Sequence, residues 1–398
     1  MARRRRTTNS MSRAMNRLLA TTLNQSTSAA TRIARRAPKL LLKAADMNLT
    51  NFSSLMKATR NAGRRQVRRA GEMLDATTAL QHKLSGLTPP PLPKFEIPGL
   101  TLPTAQAPQA SPLTVPKGAQ YLDLRFSGPG GARPYKLYVP SRYRTGRAVP
   151  LIVMLHGCTQ SPDDIAAGTR MNEFAEREGF LVAYPGQTRA ANQAKCWNWF
   201  NPAQQQRDSG EPLIIAGITR QVMQDYAIDP RRVFIAGMSA GGATAAIMGN
   251  AYPELYAAIG VHSGLAFGSA SDAASAATAM RGDAADIPLR DGVAVPAIVF
   301  HGGDDRTVHA SNGDQVIRQS QANGIYRTST QQGRVPGGRS YTRTLHADPS
   351  GKTVLEQWAV HGSGHAWSGG SVAGSYTDPK GPDASAEMLR FFREHPKK

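Results

Sequence analysis

One pentapeptide, GMSAG at residues 237–241, constrains the fold of this chain more than any other feature. A largely apolar run at 231–236 precedes it and a run of small residues from Gly242 follows it, so it lies where a strand ends and a helix begins. Such a sharp turn holds the hydroxyl of its central residue, Ser239, above a sheet, and its glycines relieve the crowding. The pattern alone is weak in a Gly-rich chain, but its place between strand and helix favours a nucleophilic serine.

Upstream, an apolar run at 149–155 predicts a buried strand, and it ends in HGCTQ at 156–160. An HG pair after such a strand supplies a backbone N–H to an oxyanion hole, here that of Cys158. The N–H of Ala240, next after the serine, is the other expected donor, at the positive end of the helix. His156 is expected to shape the turn rather than to transfer a proton.

Downstream, apolar runs at 295–300 and 354–360 predict two further buried strands, each followed by a polar loop. The first loop offers Asp304 and Asp305, either of which could orient a histidine and stabilise its imidazolium. The second loop is rich in glycine and carries His365, where a mobile imidazole can reach the serine. The order serine, acid, histidine is that of elbow-type hydrolases.

These motifs resemble those of the polyhydroxybutyrate-depolymerase-type esterases, a branch of the α/β-hydrolase fold. The resemblance covers roughly residues 120–393. It is carried by HGCTQ at 156–160, CWNW at 196–199, GMSAG at 237–241, HG at 301–302 with Asp305, and GHAWSGG at 364–370. The resemblance implies hydrolysis of carboxylic esters. Because the family includes depolymerases and feruloyl and acetylxylan esterases, the resemblance implies this reaction more firmly than any one substrate. The related pattern H-G-x-x-D-x-x-V selects Asp305 as the acid and leaves Asp304 as a turn residue.

The resemblance also bears on the two cysteines and on location. It suggests that Cys158 and Cys196 could be bridged, which fits an oxidising compartment, whereas a cytosolic protein would keep both reduced. Many relatives are secreted, yet no apolar core of a signal peptide follows the basic start before Thr21. Location is therefore open between the cytoplasm or a granule and the extracellular region. No stretch approaches the ~20 apolar residues of a membrane span.

Three tryptophans, Trp197, Trp199 and Trp367, fall near the active-site loops by motif. They are expected either to pack in the core or to form an aromatic wall for the acyl or alcohol part of an ester. No metal-binding spacing of His, Cys, Asp and Glu, P-loop or dinucleotide fingerprint occurs in the chain, so neither a metal nor another cofactor is predicted.

The remaining pattern predicts an α/β fold, a mostly parallel sheet with helices on both faces. Alternating runs at 122–126 and 135–139 predict an antiparallel hairpin, and short apolar runs at 180–184 and 256–261 predict two more strands. We expect three units: a basic extension at 1–86, helical or disordered; a Pro-rich linker at 87–117; and the catalytic domain at 118–398.

Charge is concentrated in the first part of the chain. Residues 1–117 hold 20 Lys and Arg against 4 Asp and Glu, a surplus of 16 positive charges, whereas the whole chain carries +20. The linker contains nine prolines, which favour an extended conformation. The arginine runs predict either a solvated tail or binding to an anionic surface such as nucleic acid, acidic lipid or a coated polyester granule.

Together these observations predict a serine esterase in which Ser239, His365 and Asp305 form and break an acyl-enzyme. One alternative is a serine peptidase of prolyl-oligopeptidase type, but no propeller and no acidic amine-binding pair are visible. Another is a non-catalytic granule- or envelope-binding protein that uses the basic extension. The intact serine, aspartate and histidine argue against it.

Overall fold

A computed structural model of the chain describes residues 113–283, 295–321 and 324–397. The predicted basic extension and most of the predicted linker lie outside the described residues, so the three-unit division stays a prediction. In the described ranges, no helix combines the length and apolar character needed to cross a bilayer.

Ten strands in these ranges form one mixed sheet in the order β1-β2-β4-β3-β5-β6-β7-β10-β9-β8. The strands from β4 through β10 in this order run parallel to one another, and antiparallel pairs close both edges. Their bounds are β1 Gln120–Gly128, β2 Gly131–Val139, β3 Val149–Leu155, β4 Leu181–Pro185, β5 Ile228–Met238, β6 Ala258–His262, β7 Ala297–Gly302, β8 Arg327–Arg334, β9 Ser340–Ala347 and β10 Thr353–Val360. A small parallel pair, β11 Trp367–Ser368 and β12 Thr377–Asp378, follows.

Helices cover both faces of this sheet. Their bounds are α1 Pro162–Thr169, α2 Met171–Glu178, α3 Gly210–Asp225, α4 Ala240–Ala251, α5 Ala273–Met280, α6 Ser311–Gln321 and α7 Ala384–Glu394. Buried residues of α3 to α6 belong to one core cluster and those of α1, α2 and α7 to a second cluster. Strand β3 shows why the central strands are apolar throughout: Val153 points into the first cluster and its neighbours Ile152 and Met154 into the second.

The predicted α/β-hydrolase fold is confirmed, and every strand predicted from an apolar or alternating run is present, with bounds that differ by a few residues. The hairpin of β8 and β9 was not predicted. Strand β8 reads RTSTQQGR and is exposed along nearly all its length, so it carries no apolar pattern by which a strand could be recognised. It pairs with β9 at one edge of the sheet through its backbone and through a side-chain hydrogen bond between Thr328 Oγ1 and His346 Nδ1, at 3.1 Å.

The parallel strands place their carboxyl ends at one edge of the sheet, where open α/β sheets bind ligands. The loops after β3, β5, β7 and β10 leave the sheet there. These four loops carry the HGCTQ, GMSAG, HGGDD and GHAWSGG motifs. The topology thus gathers motifs that are more than 200 residues apart in sequence.

Candidate active site

Ser239 occupies a strained turn between β5 and α4. Its φ is 56° and its ψ is −123°, a conformation that a residue with a side chain rarely adopts. The flanking glycines are required by close approach, because a Cβ on Gly241 would lie 2.2 Å from the carbonyl oxygen of Leu155 and one on Gly237 2.4 Å from that of Gly241. The Ser239 N–H donates to the carbonyl of His262 at 2.9 Å. The turn therefore fixes the serine backbone with its side chain half-buried.

Asp305 and His365 meet directly, although they lie in different loops. His365 Nδ1 donates to Asp305 Oδ2 at 2.7 Å. The other carboxylate oxygen accepts from the N–H groups of Thr307 at 2.9 Å and Val308 at 2.8 Å. Burial opposes ionisation of Asp305, but the hydrogen bonds from His365 and Val308 outweigh it and hold the pKa of the carboxyl below its usual range. With Nδ1 engaged as the donor, Nε2 of His365 is left as the proton acceptor.

Asp304, the other aspartate of this loop, is exposed, and its N–H donates to the carbonyl of Ser363 at 2.9 Å. Among the residues that the structure describes, the Ser239 hydroxyl forms no hydrogen bond with the imidazole of His365. In free hydrolases this contact is often long and tightens only when substrate is bound. The structure thus joins acid and base and presents the serine separately, on the same edge of the sheet.

The two expected oxyanion donors are available for a ligand. In the described part of the chain, neither Cys158 N nor Ala240 N donates a hydrogen bond to another protein group. The HGCTQ loop is held beside the serine, since a Cβ on Gly157 would lie 3.4 Å from Ser239 Cβ. Gly157 N donates to Gln160 Oε1 at 2.8 Å. These two amides can therefore stabilise negative charge on a carbonyl oxygen bound next to Ser239.

The side chain of Gln160 anchors the oxyanion loop. Its role was not predicted from the sequence. Gln160 is buried, and its Nε2 donates to Asp164 Oδ2 at 2.7 Å and to the carbonyl of Ser375 at 3.2 Å. Ser375 N also donates to Asp164, at 2.9 Å. The network connects the oxyanion loop to a segment more than 200 residues later, and no local sequence signal could have revealed it.

Cys158 and Cys196 form a disulfide, with Cα atoms 4.2 Å apart. The adjacent Thr159 N donates to the carbonyl of Ala194 at 2.7 Å. A covalent bond and a hydrogen bond thus attach the oxyanion loop to the segment that begins the CWNW motif. The pairing that the family resemblance suggested is present.

His156 uses both ring nitrogens inside the protein. Its Nδ1 donates to the carbonyl of Gly157 at 2.8 Å, and its Nε2 accepts from Gln187 N at 3.0 Å. Burial lowers the pKa of His156 to about 4, so the ring is neutral at physiological pH. It shapes the turn, as expected, and has no nitrogen left for proton transfer.

The aromatic wall considered for Trp197, Trp199 and Trp367 is wrong, because all three side chains are buried in the two core clusters. Trp197 is 0% exposed and donates its Nε1–H to the carbonyl of His156 at 3.1 Å. Trp367 is 1% exposed and stacks on His262, with ring centroids 4.9 Å apart. Their role is the other one considered, packing, here beneath the loops. Their position in motifs near the active-site loops did not reveal whether each ring faces the core or the substrate.

Tyr376 borders the site from a position that sequence reasoning missed. Its hydroxyl lies 3.3 Å from Thr159 Oγ1, and its ring centroid lies 6.5 Å from that of His365, edge to face. Tyr376 and Thr159 both have a left-handed φ, 53° and 66°, which is uncommon outside glycine and clusters at functional sites. Tyr376 thus lies between the oxyanion loop and the histidine loop.

No group of His, Cys, Asp and Glu in the described ranges is arranged to hold a metal ion. At this edge Asp305 is instead hydrogen-bonded to His365. The N–H groups of Cys158 and Ala240 form no hydrogen bond with the described part of the protein. Such a set suits nucleophilic attack on a carbonyl carbon with stabilisation of the resulting oxyanion.

Residues 133–339, about half of the chain, match the family described as Esterase PHB depolymerase. The chain belongs to this esterase family. The matched residues include the serine elbow, the oxyanion loop and Asp305, whereas His365 follows them. The family assignment therefore agrees with the resemblance carried by the sequence motifs.

The relatives that the chain matches carry several names. The chain is 28% identical over 252 residues to poly(3-hydroxyalkanoate) depolymerase C of Paucimonas lemoignei, covering 60% of this chain and 59% of that protein. It is 34% identical over 151 residues to feruloyl esterase B of Neurospora crassa, covering 38% and 50%. The chain thus spans about half to three fifths of the length of these relatives.

Among solved structures, acetyl xylan esterase from Aspergillus awamori superposes on the chain with a TM-score of 0.56. The alignment covers 69% of this chain and 99% of that one, at 19% identity. At this identity the likeness supports the fold. It agrees with the sheet order and the helical layers described above.

Proposed function

We propose that the protein is a serine esterase that hydrolyses carboxylic esters through an acyl-enzyme on Ser239. The observation that carries the proposal is the hydrogen bond between buried Asp305 and half-buried His365, at the same sheet edge as a strained serine elbow. Family membership supports the same reaction class. Neither alternative weighed from the sequence, peptidase or non-catalytic binding protein, gains support from the relatives.

The reaction starts when His365 Nε2 takes the hydroxyl proton of Ser239 and Oγ attacks the ester carbonyl carbon. Asp305 holds the ring in the tautomer that makes this transfer possible and stabilises the imidazolium that results. The carbonyl oxygen becomes an oxyanion between the N–H groups of Cys158 and Ala240. Collapse of this intermediate breaks the ester bond, and the departing alcohol takes the proton from His365.

Water completes the cycle. It gives a proton to His365 Nε2 and attacks the acyl-enzyme, the oxyanion forms again between the same two amides, and the acid departs as Ser239 regains its proton. Every proton passes through one imidazole nitrogen. No cofactor is needed for this sequence of steps.

The substrate class that we propose is an ester of a short acid, either in a polyester chain or in a small molecule. The relatives named for poly(3-hydroxyalkanoate), ferulate and acetylxylan share an ester carbonyl but differ in the acid and alcohol parts. The test is to compare the rates of hydrolysis of a polyhydroxybutyrate suspension and of soluble p-nitrophenyl acetate, p-nitrophenyl butyrate and methyl ferulate. The ester that is hydrolysed fastest identifies the preferred substrate type within this class.

A phosphonate label tests the nucleophile. A p-nitrophenyl alkylphosphonate should modify the wild-type protein on Ser239 and abolish ester hydrolysis, because it forms a stable adduct in the oxyanion hole. Ser239→Ala should remain folded, escape labelling and lose about 10⁴-fold or more in kcat, with a residual rate from binding and the oxyanion hole. Ester hydrolysis or labelling that persists in Ser239→Ala would overturn the assignment.

We also propose that residues 1–86 hold the enzyme on an anionic surface. The sequence supports this by its surplus of positive charge ahead of a Pro-rich linker. Adsorption of the full chain to acidic lipid vesicles should weaken between 0.05 and 0.5 M salt, since exposed charges are screened beyond ~10 Å at 0.1 M. A chain starting at Lys117 should lose this adsorption and keep kcat/KM on soluble esters. Retained adsorption, or loss of activity, would contradict the proposal.

The disulfide supports an oxidising compartment, such as the extracellular region, as the place where the enzyme works. Thiol titration of protein isolated from its native source under alkylating conditions tests this. Two free thiols per chain would point to a reducing compartment instead.

A further inference from the structure

His262 lies directly under the candidate nucleophile. It is the last residue of β6, paired in register with Met238 of β5, and its carbonyl accepts the N–H of Ser239 at 2.9 Å. The serine N–H would otherwise be an unpaired donor at the end of the strand. One hydrogen bond of the His262 backbone therefore fixes the height of the elbow above the sheet.

The ring of the same residue holds the loop that carries His365. His262 Nε2 accepts the N–H of Ser368 at 2.9 Å, three residues beyond His365. Because Nε2 accepts, the proton is on Nδ1, which donates to Ser263 Oγ at 3.1 Å. Ser263 is fully buried with a φ of 49°, so this acceptor is itself held in a strained position.

Packing leaves the ring a single orientation. His262 is 1% exposed and is stacked against Trp367, at 4.9 Å between centroids, and near Phe300, at 5.8 Å. Burial, with smaller effects of His301 and His365, lowers the pKa of His262 to about 3. The ring stays neutral at physiological pH, and its Nε2 lone pair remains available to Ser368.

We propose that His262 is a positioning residue that sets the distance between Ser239 and His365 by binding the backbone of one and the loop of the other. The inference rests on the proposed esterase function. It predicts that loss of the Nε2 acceptor lets the His365 loop shift while the ester-binding surface stays in place. A displacement of about 1 Å between reacting groups can cost on the order of 100-fold in rate.

Two substitutions of His262 distinguish the effect of losing its Nε2 hydrogen-bond acceptor from the effect of losing the packing of its ring. Gln can place an acceptor near the position of Nε2, so His262→Gln should keep kcat within about threefold of wild type. His262→Asn ends nearer the position of Nδ1 and cannot reach Ser368, so it should lower kcat by about 10- to 100-fold with little change in KM. The rate of phosphonate labelling of Ser239 should fall in parallel with kcat.

His395 provides the matched control. It is 2% exposed, stacks on Phe391 at 4.1 Å, and contacts the carbonyls of Phe391 and Thr353, each at 2.7 Å. Thr353 begins β10, at the opposite end from the active-site loops. His395→Asn should lower the melting temperature comparably and leave kcat unchanged.

The outcomes distinguish this inference from the proposed function. If wild type hydrolyses esters, Ser239→Ala does not, and His262→Asn retains wild-type kcat, the positioning role is overturned while the function stands. A folded His262→Gln protein that is as slow as His262→Asn also overturns it. If His262→Asn fails to fold, His262→Gln decides: kcat and labelling near wild type support the role, and a larger loss of both overturns it. If Ser239→Ala keeps its activity, it is the proposed function that fails.

Discussion

Asp305 Oδ2 lies 2.7 Å from His365 Nδ1, a contact between residues 60 positions apart. The carboxylate also accepts two backbone N–H groups from its own loop, so it is oriented before the histidine arrives. Such a carboxylate needs no proton of its own. In the proposed reaction it holds the imidazole with Nε2 free.

Asp305→Asn should lower kcat by about 10⁴-fold, because an amide can present an N–H to Nδ1 and favour the wrong tautomer. Asp304→Asn is the matched control in the same loop. Asp304 is exposed and its structural hydrogen bond comes from its backbone, so kcat should change less than threefold. Steady-state kinetics on p-nitrophenyl butyrate measure both. A reversed order of the two losses would assign the acid to Asp304.

The disulfide gives a second prediction, in which stability and rate fall together. It closes a loop between residues separated by 38 positions, and loop-closure entropy alone is worth about 4 kcal/mol for this length. Cys196→Ala should lower the free energy of unfolding by up to that amount. It should also lower kcat about 10-fold, because Cys158 keeps its N–H but loses the tether that orients it.

Urea unfolding and ester kinetics measure these two effects, and wild type treated with dithiothreitol should behave like Cys196→Ala. The loss in kcat should stay below the 10²–10³ expected when an oxyanion donor is removed outright. A reduced enzyme with unchanged kcat would mean that Gln160, rather than the disulfide, orients the oxyanion loop.

The sequence was most informative where chemistry requires particular residues at the ends of strands. Ser239, Asp305 and His365 follow runs whose apolar character marks buried parallel strands, and topology brings the loops after such strands to one edge. Residues whose role depends on distant partners gave no comparable signal. Gln160 acts through Asp164 and Ser375, and His262 through Ser368, so neither could be recognised without the folded chain.

The tryptophans show a different limit. Trp197 and Trp367 belong to specific motifs beside the active-site loops, but a motif does not tell which side of a loop a ring takes. Burial of a large aromatic side chain beneath the site stabilises the fold more than exposure would, and here the rings pack against His156 and His262. In both motifs the tryptophan therefore packs against a residue that holds an active-site loop.

Two buried neutral histidines predict lower stability at mildly acidic pH. The pKa values of His156 and His262 are lowered to about 4 and about 3, whereas in the unfolded chain a histidine titrates near 6.5. As pH falls below about 6.5, the unfolded state binds protons that the folded state does not. Each histidine should therefore cost about 2 kcal/mol of unfolding free energy by pH 5.

Carboxylates differ in their effect: burial raises the pKa of Glu211, so a fall in pH favours the folded state at this residue and partly offsets the two histidines. The pKa values of Asp305 and Asp378 are lowered in the folded protein, so their stabilising contributions are present at pH 5 and are lost only as pH falls further. Urea unfolding of the full chain at pH 7 and pH 5 measures the effect. His262→Gln should show a smaller loss between the two values. Equal stability of wild type at both would contradict neutral, buried histidines.

Tyr376 gives the last prediction, which concerns substrate binding. Its ring lies between the loop that carries Cys158 and the loop that carries His365, and its hydroxyl is 3.3 Å from Thr159 Oγ1. We therefore expect an ester held by both loops to contact this ring. Tyr376→Ala should therefore raise KM for p-nitrophenyl butyrate about 10-fold with a smaller effect on kcat, because it removes a surface that binds substrate before and during reaction.

Tyr376→Phe separates the ring from its hydroxyl. It keeps the apolar surface and loses only an exposed contact with Thr159, so KM should stay within about threefold of wild type. The effect of Tyr376→Ala should grow from p-nitrophenyl acetate to p-nitrophenyl butyrate, since a longer acyl chain has more apolar surface to lose. If Tyr376→Ala lowers kcat for both esters equally and leaves KM unchanged, the ring supports the position of His365 instead of binding the acyl group.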